Sequence, residues 1–261
     1  MAWRLRFSRA IVRIPGQSYA DGLTTAGEGR ADFHTACAQH ARYCQALLDC
    51  GLELTALPAD AAQPDGTFVE DTAVIAGGVA IITRPGAPSR RGEVAAIAAA
   101  LQPLLPLLGP VEAPGTLDGG DVCQADQHFL IGLSARTNEA GAAQLVALLA
   151  QHGYTASTVD IRAQRALLHL KSGLSYLGER RFVALPGVPR VDAMAGYEFI
   201  ETVAGESYGA NCVRVNDMVL VAEGYPQLAA RLDDLGYAVR RLEMSEFRKM
   251  DGGLSCLALR F

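Results

Sequence analysis

The sequence predicts an α/β fold in which a strand–strand–helix–strand unit recurs five times and closes into a ring. Three observations predict it. First, five segments each set small or polar residues ahead of a short β-type run: FVEDTAVI from Phe68, TLDGGDVCQ from Thr116, LHLKSGLSYL from Leu168, GANCVRVN from Gly209 and DGGLSCLALRF from Asp251. Their starts lie 48, 52, 41 and 42 residues apart, and units that small must share their cores with neighbours. Second, most of these runs pass through a short polar or glycine-containing link into another apolar run, which is a hairpin signal. Third, a stretch of helical spacing follows each hairpin.

In chain order, RAIVRIPG (9–16) is a strand, and Gln17 to Gly29 shows no apolar period. Ala31 to Cys50 is a helix that stops at Gly51, and LELTALP (52–58) is a strand. Gly77-Gly78 links FVEDTAVI to VAIITRPG, and an alanine-rich helix runs from Ser89 to Leu101. Ala125-Asp126-Gln127 links TLDGGDVCQ to HFLIGL. The next helix, Thr137 to Gln151, has Ala140, Ala143, Leu145, Leu148 and Leu149 at helical spacing and precedes the strand YTASTVDI. Gly178-Glu179-Arg180 links LHLKSGLSYL to RFVALPG, and Val191 to Val203 carries the weakest helical pattern of the set. Asn216-Asp217 precedes MVLVAEG, Pro226 to Leu235 is a helix ended by Gly236, and YAVRRLEM is a strand. The fifth segment ends the sequence without a second strand. RAIVRIPG supplies it and closes the ring, which removes exposed sheet edges. The competing arrangement is a plain α/β sandwich in which the spacing is coincidental.

Bulk properties bound the function. The 261 residues are 50% hydrophobic and 20% charged, a folded globular composition that predicts a single domain over 1–261. A net charge of −5 argues against nucleic acid or an anionic membrane as partner. The six cysteines are scattered, without C-x-x-C or zinc-finger spacing, and read as reduced thiols. Arginines interrupt the N-terminal run too often for a signal-peptide core. The longest apolar run, Val94 to Leu101, falls far short of the ~20 residues of a membrane span. The expected location is cytoplasmic.

If the five segments are equivalent, the residues at their starts converge on one axis. These include Glu70, Asp71, Asp118, His169 and Cys256. A thiol, an imidazole and several carboxylates distant in sequence are then gathered in space, as nucleophilic catalysis requires. Each has a plainer reading taken singly: Cys256 and His169 as core residues, Glu70, Asp71 and Asp118 as turn or cap residues. DGGD (118–121) lacks the oxygen-ligand spacing of an EF-hand, and no second histidine stands at i+3 or i+4 from His169, so no metal is expected.

Together the segments resemble the dimethylarginine dimethylaminohydrolase family of the guanidino-group-modifying superfamily. FVEDTAVI, ITRPGAPSRRGEV (82–94), TLDGGDV, GLSARTN (132–138), LHLKS, ANC (210–212) and MSEFRKMDGGLSC (244–256) carry the match in the expected order across nearly the whole chain. The resemblance implies a five-bladed pseudosymmetric α/β propeller, hydrolysis of methylated arginine to citrulline and an amine, and no cofactor. It leaves room for a homodimer. It makes Cys256 the nucleophile, His169 the general acid–base and Asp118 their companion at the guanidinium, a position where some relatives carry Glu. It makes Glu70 and Asp71 the carboxylates around the guanidinium and Arg90 and Arg136 the pair for the substrate carboxylate. Asp65 and the Leu23 backbone fall at the α-amino end, with Met250 and Asp251 nearby. Gln17 to Gly29 would then be a lid.

The chemistry suits those residues. A guanidinium is planar and cationic, carboxylates orient it, and a bound cation lowers the pKa of a neighbouring thiol. Two other functions compete: a hydrolase of free arginine or citrulline within the same superfamily, and a non-enzymatic propeller of the ribosome-binding type. Cys256, His169 and the acidic charge balance oppose the second.

Overall fold

The computed structural model of the protein describes residues 6–261, so the first five residues of the arginine-interrupted N-terminal run lie outside the described residues. The elements follow in chain order as β1 (Arg9–Arg13), α1 (Phe33–Asp49), β2 (Glu53–Leu57), β3 (Ala73–Ala76), β4 (Val79–Ile82), α2 (Glu93–Leu101) and β5 (Leu107–Leu108). Then come β6 (Val122–Ala125), β7 (His128–Leu133), α3 (Glu139–Gln151), β8 (Thr155–Asp160), β9 (Leu174–Gly178), β10 (Arg181–Ala184) and β11 (Glu198–Glu201). The last are β12 (Val213–Val215), β13 (Met218–Ala222), α4 (Pro226–Asp234), β14 (Ala238–Leu242), α5 (Ser245–Arg248) and β15 (Leu259–Arg260).

These strands form five sheets of three, ordered β15-β1-β2, β3-β4-β5, β6-β7-β8, β9-β10-β11 and β12-β13-β14. In each sheet the central strand pairs antiparallel with the inner strand and parallel with the outer one. The ring closes as the sequence predicts. Ala10 pairs with Arg260 and Ile11 with Leu259, so the first strand of the chain completes the sheet begun by the last.

Burial confirms the ring over the sandwich, because every core cluster spans two neighbouring units. Ile11, Val69, Ile82, Ile97 and Leu259 pack together between the first and second. Val74, Leu117, Val122, Phe129 and Leu145 join the second and third, and Leu130, Val159, Leu174 and Phe182 the third and fourth. Leu177, Ile200, Val219 and Leu232 join the fourth and fifth. Val12, Tyr43, Leu47, Leu220 and Leu254 return from the fifth to the first. Each fully buried leucine contributes about 1.5–3 kcal/mol through area removed from water, and the covering side chains come in part from the neighbouring unit.

One expectation is corrected. Val191 to Val203 is not a helix: it forms a 3₁₀ turn at Asp192–Met194 and then β11. Gly196 adopts φ +75° and interrupts any helix, and the run FIETV that follows is β-branched and aromatic. Phe182 is instead covered by Tyr176, Tyr197 and Phe199, with ring centroids 5.1 to 5.5 Å away. The polar heads of the five segments, set ahead of the strands as expected, are turns. Each is a single 3₁₀ turn placed just before an inner strand: Val69–Thr72, Gly119–Asp121, Leu170–Ser172, Ser207–Ala210 and Ser255–Leu257. Among the described residues, no helix is long and apolar enough to cross a membrane.

Candidate active site

The five turns are fastened to one another by side chains. The Gly120 N–H donates to Asp71 at 2.8 Å, the Leu170 N–H to Asp121 at 2.9 Å and the Ser255 N–H to Asn211 at 3.0 Å. The Ser255 hydroxyl donates to Glu70 at 2.8 Å. The ring is tight enough to require glycine. A Cβ on Gly119 would stand 2.0 Å from the Glu70 carbonyl oxygen, and one on Gly120 would stand 2.8 Å from His169 Nδ1. DGGD therefore serves close packing at the axis.

Asp118 and His169 each occupy the residue immediately before their turns, in adjacent units. That equivalence brings them together, and His169 Nε2 donates to Asp118 Oδ2 at 3.0 Å. Asp118 is fully buried, and its other oxygen accepts from the Gly86 N–H at 2.8 Å. Asp71 Oδ1 lies 3.9 Å from His169 Nε2, while its second oxygen accepts from Arg90. Arg90 is itself buried, forked onto Glu93 at 2.8 and 2.9 Å and bonded to the Phe68 carbonyl at 3.0 Å. Arg136 Nη1 approaches Asp118 at 3.9 Å and has no hydrogen-bond partner.

Leu23, Asp65, Phe68, Asp71, Arg90, Arg136, Leu168, His169, Met250, Asp251, Gly252 and Cys256 line one cleft. The sequence-predicted residues thus gather there, with two placed otherwise. Asp118 stands behind His169 rather than on the cleft wall. Glu70 points through the ring to the opposite side, where Lys171 Nζ meets it at 2.7 Å beneath an axial cavity of about 860 Å³. Its neighbour Asp71 faces the cleft.

The loop before α1 covers the cleft. The Leu23 N–H donates to both oxygens of Asp65 at 3.0 and 3.2 Å. Thr24 Oγ1 donates to the Lys249 carbonyl at 2.7 Å, and Thr25 donates to Asp251 through its N–H and its hydroxyl. The part around Tyr19 is not loose: that ring is fully buried and its hydroxyl bonds the Glu246 carbonyl at 3.1 Å. With the loop seated, the cleft has a volume of about 20 Å³, room for about one water.

Electrostatics divide the two reactive groups. Burial pushes the Cys256 thiol up to about 12, and the charges of Glu70 and Asp71 add to the effect. Burial works the other way on His169, but Asp71, Asp121 and Asp118 outweigh it and raise its pKa to about 9. Asp71 resists burial because His169 and Arg90 hold it ionised, below the usual carboxylate range. Burial raises Asp65. Near neutrality the cleft therefore pairs an imidazolium with a protonated thiol. Asp71, Asp118 and His169 could in principle converge on one ion, with ligand atoms all within 4.8 Å. His169 Nε2 is hydrogen-bonded to Asp118 and Asp71 is bonded to Arg90, so the set reads as an acid–base cluster.

Asp121, Asn211 and Glu93 were not singled out by sequence. Asp121 and Asn211 do for their turns what Asp71 does for its own, so laying the five segments over one another carries the signal. Glu93 stands three residues after Arg90 on a helical stretch, a spacing that favours an ion pair.

Comparison with known proteins places the chain among well-defined relatives. The arginine deiminase family model matches residues 70–207. The N(G),N(G)-dimethylarginine dimethylaminohydrolase of Pseudomonas aeruginosa is 42% identical over 98% of this chain and all of that protein. The Streptomyces coelicolor protein of the same name is 36% identical over 97% of this chain and 96% of its own length. A solved structure of the Pseudomonas aeruginosa enzyme, a cysteine-to-serine variant complexed with citrulline, superposes with a TM-score of 0.94. It covers 98% of this chain and 100% of that one at 41% identity. The N-terminal domain of ArgZ, a cyanobacterial arginine dihydrolase, shares only the fold, with a TM-score of 0.86 at 17% identity.

Proposed function

Because the chain belongs to the dimethylarginine dimethylaminohydrolase family, within the arginine deiminase fold, we propose that the Cys256 cleft carries out that family's hydrolysis on the residues assembled around it. The protein hydrolyses N-omega-methylated arginines to L-citrulline and dimethylamine or methylamine. The observation that carries the site assignment is the cleft itself, which sets Cys256 among His169, Asp71 and the arginines under a seated loop.

In this reading Asp71 receives the guanidinium. The added cation offsets the carboxylates that keep Cys256 protonated, and the thiol loses its proton to solvent. The thiolate attacks the guanidinium carbon and forms a neutral tetrahedral adduct. Imidazolium His169, held by Asp118, protonates the departing amine nitrogen. The C–N bond breaks, the amine leaves neutral, and a cationic thiouronium remains on sulfur. Neutral His169 then takes a proton from water, whose hydroxide adds to the same carbon. Collapse breaks the C–S bond, the hydroxyl proton returns to sulfur, and citrulline forms with His169 charged again.

Arg136 binds the substrate carboxylate, with Arg90 behind it holding Asp71. Asp65 and the Leu23 backbone take the α-amino end, together with Met250 and Asp251. The loop 17–29 acts as a lid, since a cleft of about 20 Å³ admits no amino acid while it is seated. Turnover of dimethylarginine, arginine and citrulline measured side by side tests the reading. Dimethylarginine is expected to be fastest, and faster turnover of free arginine overturns it.

A further inference from the structure

We propose that Asp121 is a positioning residue for this reaction, a buried carboxylate that ties the His169 turn to the loop carrying Arg136. The inference rests on the roles given above to His169 and Arg136.

Asp121 is fully buried and does not line the cleft. Its two oxygens serve two different pieces of the site. Oδ1 accepts the Leu170 N–H at 2.9 Å, which fixes the turn that begins after His169. Oδ2 accepts the Ser134 hydroxyl at 2.6 Å. Ser134 Oγ in turn accepts the N–H groups of Arg136 at 2.9 Å and Thr137 at 3.2 Å. Thr137 Oγ1 then accepts the Asp118 N–H at 3.1 Å. One carboxylate thus sets the backbone on either side of the acid–base pair. Space is reserved for it, because a Cβ on Gly132 would stand 2.8 Å from Asp121 Oδ1.

Asparagine cannot do both jobs. Its carbonyl oxygen could accept from Leu170, but its NH₂ would then meet a Ser134 oxygen that already accepts two N–H groups. It would also remove a charge. The groups acting on His169 are the carboxylates Asp71, Asp121 and Asp118, with Arg90 bonded to Asp71 and Arg136 near Asp118. Asp121 is itself raised to about 6 by burial, so its charge and its hold on the site fade together as pH falls below that value.

The test pairs an NMR titration of the His169 ring with steady-state kinetics in full-length enzyme. Kinetics use dimethylarginine and its decarboxylated analogue. In the unaltered enzyme His169 is expected to titrate near 9, held up by the carboxylates around it. Asp121→Asn is expected to move that titration toward the free-imidazole value of about 6.5 and to lower kcat. It should raise KM for dimethylarginine about tenfold or more, with little change for the analogue. Ser134→Ala cuts the Arg136 side alone: KM for dimethylarginine rises while the His169 titration stays. It settles that side even if Asp121→Asn fails to fold. An Asp121→Asn enzyme with unaltered titration and KM overturns the proposal, as does an unaltered KM in Ser134→Ala. Loss of the His169 titration near 9 in the unaltered enzyme instead overturns the reading of His169 on which the proposal stands.

Discussion

The ring of turns has two faces, and consecutive residues are dealt alternately between them. Glu70 and Ser255 face the axial cavity, while Asp71 and Cys256, one residue later in each turn, face the cleft. Both faces hold buried carboxylates beside cations. On the axial face Glu70 is fully engaged by Lys171 and Ser255, with Arg260 at 3.7 Å. On the cleft face the charges are held outward by groups behind them: Arg90 by Glu93, Asp71 by Arg90 and Gly120, and His169 by Asp118. The difference lies in what the acceptors do, not in how many charges there are. On one face the carboxylate is saturated by its own neighbours, and the other face is preorganised for a guest.

Substitutions of adjacent residues test that division most sharply. Cys256→Ser is expected to lower turnover by at least about 10⁴-fold with folding retained, as read by circular dichroism. Ser255→Ala removes bonds to Glu70 and Asn211 and should cost about 1–2 kcal/mol of stability while turnover stays within tenfold. Equal losses of turnover would erase the distinction between the faces. The next pair is Asp71→Asn against Glu70→Gln. The first should lower kcat/KM about 100-fold or more. The second leaves Lys171 without its carboxylate and costs about 1–3 kcal/mol. It should also make Cys256 react with iodoacetamide at lower pH, because the Glu70 charge is one of those raising the thiol.

A smaller effect follows from His169. In the proposed reaction its protonated form expels the amine, so kcat, which reports the complex in which the thiol has already ionised, should fall as pH rises through about 9. A profile flat to pH 10 would remove His169 from that step. Smallest is the response of the loop 17–29, where a substrate analogue should slow hydrogen exchange. Unchanged exchange there would reduce the loop to a passive connector.

Sequence revealed the ring because its evidence is repetitive: five similar heads at similar spacing, and one unit short of a strand that the other end supplies. It gathered Cys256, His169, Asp118 and Asp71 for the same reason. It could not assign Glu70 and Asp71 to opposite faces, because that depends on the turn being 3₁₀ rather than extended. In a strand two neighbours also diverge, but the choice of face depends on register. Val191 to Val203 was misread because periodicity over a short run separates helix from strand poorly, and Gly196 was the stronger signal. Asp121 and Asn211 escaped because each holds its neighbouring turn through a backbone N–H of the next unit, that of Leu170 or Ser255, and such groups leave no trace in residue identity.

The sheet that closes the ring joins Ile11 to Leu259, almost the full length of the chain apart. Contacts between such remote residues form late, because a long loop must be closed before they stabilise anything. Cys256 sits three residues before that pairing. While a ribosome is still making the chain, four of the five sheets can be assembled before Cys256 has emerged. The Cys256 thiol therefore arrives with the strand that seals the molecule, so closing the ring and completing the cleft around Cys256 are a single step.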